Sequence, residues 1–189
     1  TLVQIDIEPT QIGRNYPAEI ALHGDLRAVL RGMLDKLETD PRVQPKTTQR
    51  DAVSALTAEW WREKGIESDL ARDRSTKPVH PIQVIRAMRD AMQDDDVIVC
   101  DSGFNQIWGG QYFEVRSSGR TYLGPRGFGV MGYGTPAAIS RALATPAQNV
   151  VCLTGDGGFA MVIQELETAL RTGANVTIVI MNNSNMQFI

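Results

Sequence analysis

The stretch from Val150 to Asn185 constrains this chain more than any other. Val150, Val151, Cys152 and Leu153 form an uninterrupted apolar run, Gly155-Asp156-Gly157-Gly158 follows, and a second apolar run from Val176 to Met181 ends in Asn182-Asn183. Strands of a parallel sheet are covered on both faces and read as continuous apolar runs, so both runs are predicted to be central strands. Between them Phe159, Val162, Ile163, Leu166 and Leu170 fall at helical spacing and Gly173 supplies the stop, which predicts one amphipathic helix. The whole is a strand-helix-strand crossover. Open α/β sheets bind ligands outside the carboxyl ends of their strands, where residues 155–158 and 182–185 lie.

Those two turns carry a specific chemistry. If the strands are neighbours, about 4.8 Å apart, the Asp156 carboxylate and the Asn183 amide converge on one ion. Asp156, Asn183 and Asn185 are therefore the candidate metal ligands. Hard oxygen donors without a thiolate or imidazole point to Mg²⁺ or Ca²⁺ rather than zinc. Two side chains and a carbonyl leave an octahedral shell unfilled, so water and phosphate oxygens of a ligand must complete it. Gly157 and Gly158 open the helix, whose free N–H groups and dipole favour an anion. The expectation is a metal-bridged diphosphate cradled by Gly155, Asp156, Gly157 and Gly158.

Length and composition bound the rest. A chain of 189 residues suits one or two domains with a sizeable core. A net charge of −3 provides no basic face for nucleic acid, so the anion site must be local. Cys100 and Cys152 sit in apolar runs and read as small buried hydrophobes of a reduced, cytoplasmic protein. No signal peptide and no run long enough to span a bilayer is evident. The chain starts at Thr1 inside a strand-like run and stops at Ile189 in mid-motif, so it is read as a segment of a longer polypeptide.

Three regions follow along the chain. In residues 1–39, Leu2 to Ile7 alternates apolar and polar and predicts a strand, Pro9 to Pro17 a loop, and Asp25 the cap of a helix carrying Leu26, Val29, Leu30, Met33, Leu34 and Leu37. Residues 40–80 form a connector: Pro41 and Pro45, a helix from Ala52 to Lys64 whose Trp60 and Trp61 read as packing residues, and a charged segment from Glu67 to Lys77. Residues 81–189 form the main domain. Pro81 opens a helix with Ile82, Val84, Ile85, Met88 and Met92 on its buried side, and His80 before it reads as structural. Asp94-Asp95-Asp96 reads as a solvated turn before the strand Val97 to Cys100, since consecutive loop acids rarely converge on one ion. Asp101 to Trp108 is a second strand-to-helix turn at a carboxyl edge.

One motif is a decoy. Gly127-Phe128-Gly129-Val130-Met131-Gly132 matches the dinucleotide-binding pattern, but the strand before it is weak and contains Gly124 and Pro125, and no acid stands about 20 residues on. A nicotinamide site is rejected.

Gly155-Asp156-Gly157, then 24 residues, then Asn182-Asn183 resembles the fingerprint of thiamine diphosphate-dependent enzymes. Residues 127–137, GFGVMGYGTPA, resemble that family's segment around the aminopyrimidine ring, and VQIDIEPTQIGRNYP followed by HGD and a helix looks like the end of the central domain of acetolactate synthases. The resemblance implies an α/β, three-layer, parallel-sheet thiamine diphosphate fold preceded by the end of a Rossmann-like central domain. It implies thiamine diphosphate and Mg²⁺ as cofactors, with Met131 as the apolar fulcrum that keeps the cofactor bent and Gly129 beside the pyrimidine. The turn carrying Ser102 and Asn105 would help hold the diphosphate; acetolactate synthases have Gln-His where this chain has Phe104-Asn105, and only Asn105 can still donate a hydrogen bond. In flavin-binding members an acid after the first strand contacts FAD, which falls on Asp6, with Asp25 as a second candidate. The implied activity is decarboxylation of pyruvate and ligation to a second 2-oxo acid. Relatives run a simple 2-oxo acid decarboxylation or acetyl transfer to phosphate, and others keep the fold without catalysis. The family works as homodimers or homotetramers whose active sites take a glutamate from a partner's N-terminal domain, so this segment alone is expected to be inactive.

Overall fold

The computed structural model describes residues 2–43, 47–71 and 77–185, and the chain divides into two compact units, Thr1–Glu59 and Trp60–Ile189. Pro45 and positions 72–76 of the charged segment lie outside the described residues. In the first unit β1 (Val3–Asp6) and β2 (Ile20–His23) pair in parallel, Val3 opposite Ile20 and Asp6 opposite His23. The alternation of residues 2–7 announces β1, whereas β2 follows a proline-bounded loop and is too short to show a period. Helix α1 (Leu26–Thr39) starts at its expected cap, where Asp25 Oδ1 accepts from the Ala28 N–H at 3.0 Å. Helix α2 (Thr47–Glu63) begins earlier than its apolar pattern, and Trp60 and Trp61 are 45% and 38% exposed, so neither belongs to a core.

The second unit continues with α3 (Ile66–Leu70), α4 (Pro81–Ala91), β3 (Val97–Cys100), α5 (Phe104–Tyr112), β4 (Tyr122–Leu123), α6 (Gly134–Ala144), β5 (Val150–Gly155), α7 (Asp156–Ala160), α8 (Glu165–Thr172) and β6 (Val176–Met181). Its four strands are all parallel, in the order β4-β3-β5-β6. The two faces of this sheet explain the apolar runs. Because successive side chains alternate, Ile98, Cys100, Val151 and Leu153 meet Ile85, Met88, Met92 and Phe113 on one side. Val97, Val99, Val150 and Cys152 meet Ala138 and Ala142 of α6 on the other. This is the three-layer α/β arrangement expected. Ile82, Ile85, Ile98 and Leu153 are fully buried, each worth about 1.5–3 kcal/mol.

Helix α4 begins as expected at Pro81. His80 is its cap: its Nδ1 accepts from the Ile82 N–H at 3.4 Å, and its own N–H donates to Gln83 Oε1 at 3.2 Å.

Three local expectations change. The acidic triplet is not wholly solvated, since Asp96 is 3% exposed and accepts from the Gln93 N–H, the Asn149 N–H and Asn149 Nδ2. It ties together the amino ends of β3 and β5. The single helix expected after residue 158 is two, α7 and α8. Between them the bonds tighten to the i→i−3 pattern, with the Val162 N–H on the Phe159 carbonyl and the Glu165 N–H on the Val162 carbonyl. Finally, β6 is an edge strand among the described residues, and Ile163, Leu166 and Leu170 are exposed rather than facing a core.

Candidate functional site

Strands β3 and β5 are neighbours, yet the helices that follow them lie on opposite faces. Helix α5 places Trp108 and Tyr112 against the Ile98–Leu153 core and packs on α4, while α8 packs on α6. The crevice between two such strand ends is a topological switch point, the usual ligand site of an open α/β sheet.

The chain fills this crevice from three segments. From the β3 end, Asn105 is buried in the first turn of α5, its Nδ2 donates to the Ser102 carbonyl at 3.3 Å, and a Cβ built on Gly155 would lie 3.2 Å from that Nδ2. Ser102 Oγ donates to the Gly129 carbonyl at 2.6 Å. The glycine loop between β4 and α6 returns two residues in the left-handed region, Gly129 at φ 64° and Gly132 at φ 81°, where a side chain would be strained. A Cβ on Gly132 would meet Val162 Cγ1 at 2.9 Å, so this loop also lies against the turn between α7 and α8. The structure thus brings Ser102, Asn105, Gly129, Gly155 and Gly158 to one crevice. Met131, 37% exposed, stands on the loop between the two left-handed glycines.

One residue at the centre escaped the sequence reading. Asp101 is 1% exposed, and its carboxylate accepts three hydrogen bonds: Oδ1 from the Ser102 N–H at 2.7 Å, and Oδ2 from Thr154 Oγ1 at 2.9 Å and the Gly132 N–H at 3.2 Å. A buried charge survives only when its lone pairs are filled in this way. The available signal was an acid placed directly at the end of an all-apolar strand.

Beside the crevice, a further segment leaves the end of β6. The register sets Gly155 opposite Met181, so Asp156 and the loop beginning at Asn182 leave neighbouring strand ends at the same level. Asp156, half-buried, has no hydrogen-bond partner among the described residues. In the facing loop Asn182 Oδ1 accepts from the Ser184 N–H at 2.9 Å and Asn183 Oδ1 from the Asn185 N–H at 3.0 Å, two overlapping turns that shape the backbone. The donors here are hard oxygens. Burial pushes the thiols of Cys100 and Cys152 up to about 11 and about 12, so neither is a thiolate ligand. Among the described residues no three His, Cys, Asp or Glu side chains cluster as a metal site, so a metal here would rest on Asp156 and amide oxygens.

The decoy motif lacks the helix that a dinucleotide-binding glycine turn opens. No helix opens within residues 127–132, and α6 begins only at Gly134. Asp6 and Asp25 lie in the first unit, where Asp6 Oδ1 accepts from the Glu8 N–H at 2.9 Å and Asp25 caps α1. No helix among the described residues is long and apolar enough to cross a membrane.

Comparison with known proteins gives the family. Residues 101–189 match the family described as thiamine pyrophosphate enzyme, C-terminal TPP binding domain. Over 188 residues the chain is 35% identical to the acetolactate synthase isozyme 3 large subunit of Escherichia coli (strain K12), covering 97% of this chain and 31% of the relative. It is 32% identical over 182 residues to the acetolactate synthase large subunit of Parasynechococcus marenigrum (strain WH8102), covering 96% and 28%. It is 31% identical over 189 residues to the acetolactate synthase large subunit of Buchnera aphidicola subsp. Acyrthosiphon pisum (strain APS), covering 98% and 31%. The chain therefore spans under a third of the length of these curated relatives.

Proposed function

The chain belongs to the thiamine diphosphate-dependent enzymes, contributing through residues 101–189 their C-terminal cofactor-binding domain, and from that premise we propose that it serves an acetolactate synthase-like activity. The reaction would be decarboxylation of pyruvate followed by carboligation to a second 2-oxo acid. The observation that carries the cofactor reading is the register of Gly155 with Met181, which sets the Asp156 turn and the Asn182–Asn185 loop side by side.

The residues present fit a metal-bridged diphosphate. A half-buried carboxylate whose side chain makes no hydrogen bond among the described residues stands beside a loop of amide oxygens, and glycines at 155, 157 and 158 leave main chain open beside it. Asp156, Asn183 and Asn185 would hold Mg²⁺, with Gly155, Gly157, Gly158 and Asn105 toward the diphosphate. When bound, thiamine diphosphate supplies a nucleophilic carbon and an electron sink for decarboxylation. The protein's part is position: Met131 would set the bend of the cofactor, and the main chain near Gly129 would meet its pyrimidine. Asp6, with Asp25 as the second candidate, would mark a flavin contact in the first unit. Small 2-oxo acids are the substrate class, and a homodimer or homotetramer would supply the remaining glutamate from a partner's N-terminal domain.

Product analysis of the full-length protein with pyruvate, thiamine diphosphate and Mg²⁺ tests this. Acetolactate is the expected product. Acetaldehyde alone would point to a simple decarboxylase, and no product with cofactor bound to a non-catalytic member.

A further inference from the structure

We propose that Asp101 and Ser102 form a two-point clamp that positions Met131, with Ser102 acting through the loop rather than by touching the cofactor; this rests on the thiamine diphosphate reading above. The two residues are adjacent in sequence at the end of β3, and their hydrogen bonds bracket Met131. On one side Ser102 Oγ donates to the Gly129 carbonyl at 2.6 Å, and on the other Asp101 Oδ2 accepts from the Gly132 N–H at 3.2 Å. Only Val130 and Met131 lie between the two held glycines.

The polarity of the pair matters. One contact is a donor and the other an acceptor, so the pair holds a carbonyl on one side of Met131 and an N–H on the other. Glycine-rich loops have the most conformational freedom to lose, and both Gly129 and Gly132 sit at positive φ, so an unclamped loop would present Met131 in many places. The hydroxyl hydrogen of Ser102 is already committed to the Gly129 carbonyl, which leaves it none to donate to a diphosphate.

The clamp is also fixed to the cradle. The same Asp101 Oδ2 accepts from Thr154 Oγ1 at 2.9 Å, one residue before the Gly155 turn, and lies 2.7 Å from where a Cβ on Gly158 would fall. Asp101 therefore sets the spacing between the loop that carries Met131 and the turn that carries Asp156. A carboxylate 1% exposed has no route to a ligand of its own, so it is a positioning residue.

The test uses the full-length protein and the variants Ser102→Ala, Ser102→Thr and Asp101→Asn. In cofactor-free protein, amide hydrogen exchange across residues 129–133 should quicken about tenfold in Ser102→Ala and Asp101→Asn, the scale of one lost hydrogen bond, and return toward wild type in Ser102→Thr. With saturating thiamine diphosphate and Mg²⁺, Ser102→Ala should lower kcat about tenfold while cofactor affinity and the KM for pyruvate move less than about threefold. Unchanged exchange would overturn the clamp. So would a Ser102→Ala protein that loses cofactor affinity but keeps its kcat at saturation, since that is the pattern of a direct contact. If Asp101→Asn fails to fold, the Ser102 pair still decides. A wild-type protein that binds no thiamine diphosphate would overturn the functional reading instead, and the exchange measurement would then judge the clamp alone.

Discussion

A Cβ built on Gly158 would lie 2.7 Å from Asp101 Oδ2, an oxygen that already accepts from Thr154 Oγ1 and the Gly132 N–H. The first turn of α7 is thereby closed onto the end of β3 at a position that tolerates no side chain. The carboxylate cannot step aside without breaking one of its bonds. Gly158→Ala should therefore cost about 1–3 kcal/mol as an overpacked buried site. Urea unfolding of the full-length protein should show the lower stability, and titration with thiamine diphosphate a weaker affinity. Wild-type values in both would show that the turn relaxes freely.

Asp156 is the only charged side chain proposed as a ligand to the metal. Loss of an outer-shell partner of a metal costs about 10- to 100-fold in affinity, so loss of the ligand itself in Asp156→Ala should weaken Mg²⁺-dependent cofactor binding by more than about 100-fold. The side chain is half-buried and makes no hydrogen bond among the described residues, so the thermal midpoint of the cofactor-free protein should stay unchanged. Calorimetric titration that returns wild-type affinity would remove Asp156 from the metal site.

Met131 is over a third exposed, so shortening it costs little packing. If it sets the bend of the cofactor, Met131→Ala should reduce kcat by up to about 100-fold, the scale of an ångström-size misplacement, with a much smaller change in cofactor affinity. Steady-state kinetics beside a binding titration separates the two. Parallel losses of stability and activity would mark it as a packing residue.

What the sequence revealed followed from how far each contact reaches along the chain. Strands β3 and β5 were legible because Val97 to Cys100 and Val150 to Leu153 are uninterrupted apolar runs, as a strand covered on both faces requires, and Gly155 and Asp156 were legible because turn chemistry is local. Strand β6 carries the same apolar run, yet among the described residues it is an edge, since periodicity reports what a strand contains and not what lies beside it. The interruption between α7 and α8 lies where Val162 meets Gly132, thirty positions earlier in the chain. Asp101 and Asp96 look like other strand-flanking acids by sequence. Their partners stand 31 and 53 residues away for Asp101 and 53 for Asp96, so burial was invisible until the strands were paired.

The role of Asp96 can be isolated from the site. It holds the Gln93 N–H and both Asn149 donors at the amino ends of β3 and β5, the opposite edge of the sheet from the crevice. Asp96→Ala removes the buried acceptor from those partly exposed donors, which water can then reach, so the loss is that of ordinary hydrogen bonds, about 1 kcal/mol each. Urea unfolding should show that loss. Activity per folded molecule should remain at the wild-type level, and a matching fall in kcat would mean that strain at this end reaches the crevice.

The buried thiols give a pH dependence whose sign follows from linkage. Burial raises Cys100 from 9.0 to about 11 and Cys152 from 9.0 to about 12, because the charged thiolate loses its hydration among the strands. Above pH 9 the unfolded chain releases these protons while the folded chain keeps them. Folding then binds protons, and stability falls as pH rises from 9 through the folded values. Below pH 9 both states hold the protons and the cysteines contribute no slope. Two measurements check this: urea midpoints of wild type against Cys100→Ala and Cys152→Ala between pH 8 and pH 11, and alkylation of the native protein by iodoacetamide. The wild type should lose stability with pH more steeply than either variant, and its thiols should react only as fast as the protein opens. Rapid alkylation of the native protein at pH 8 would show a thiol that is open to solvent and ionises normally.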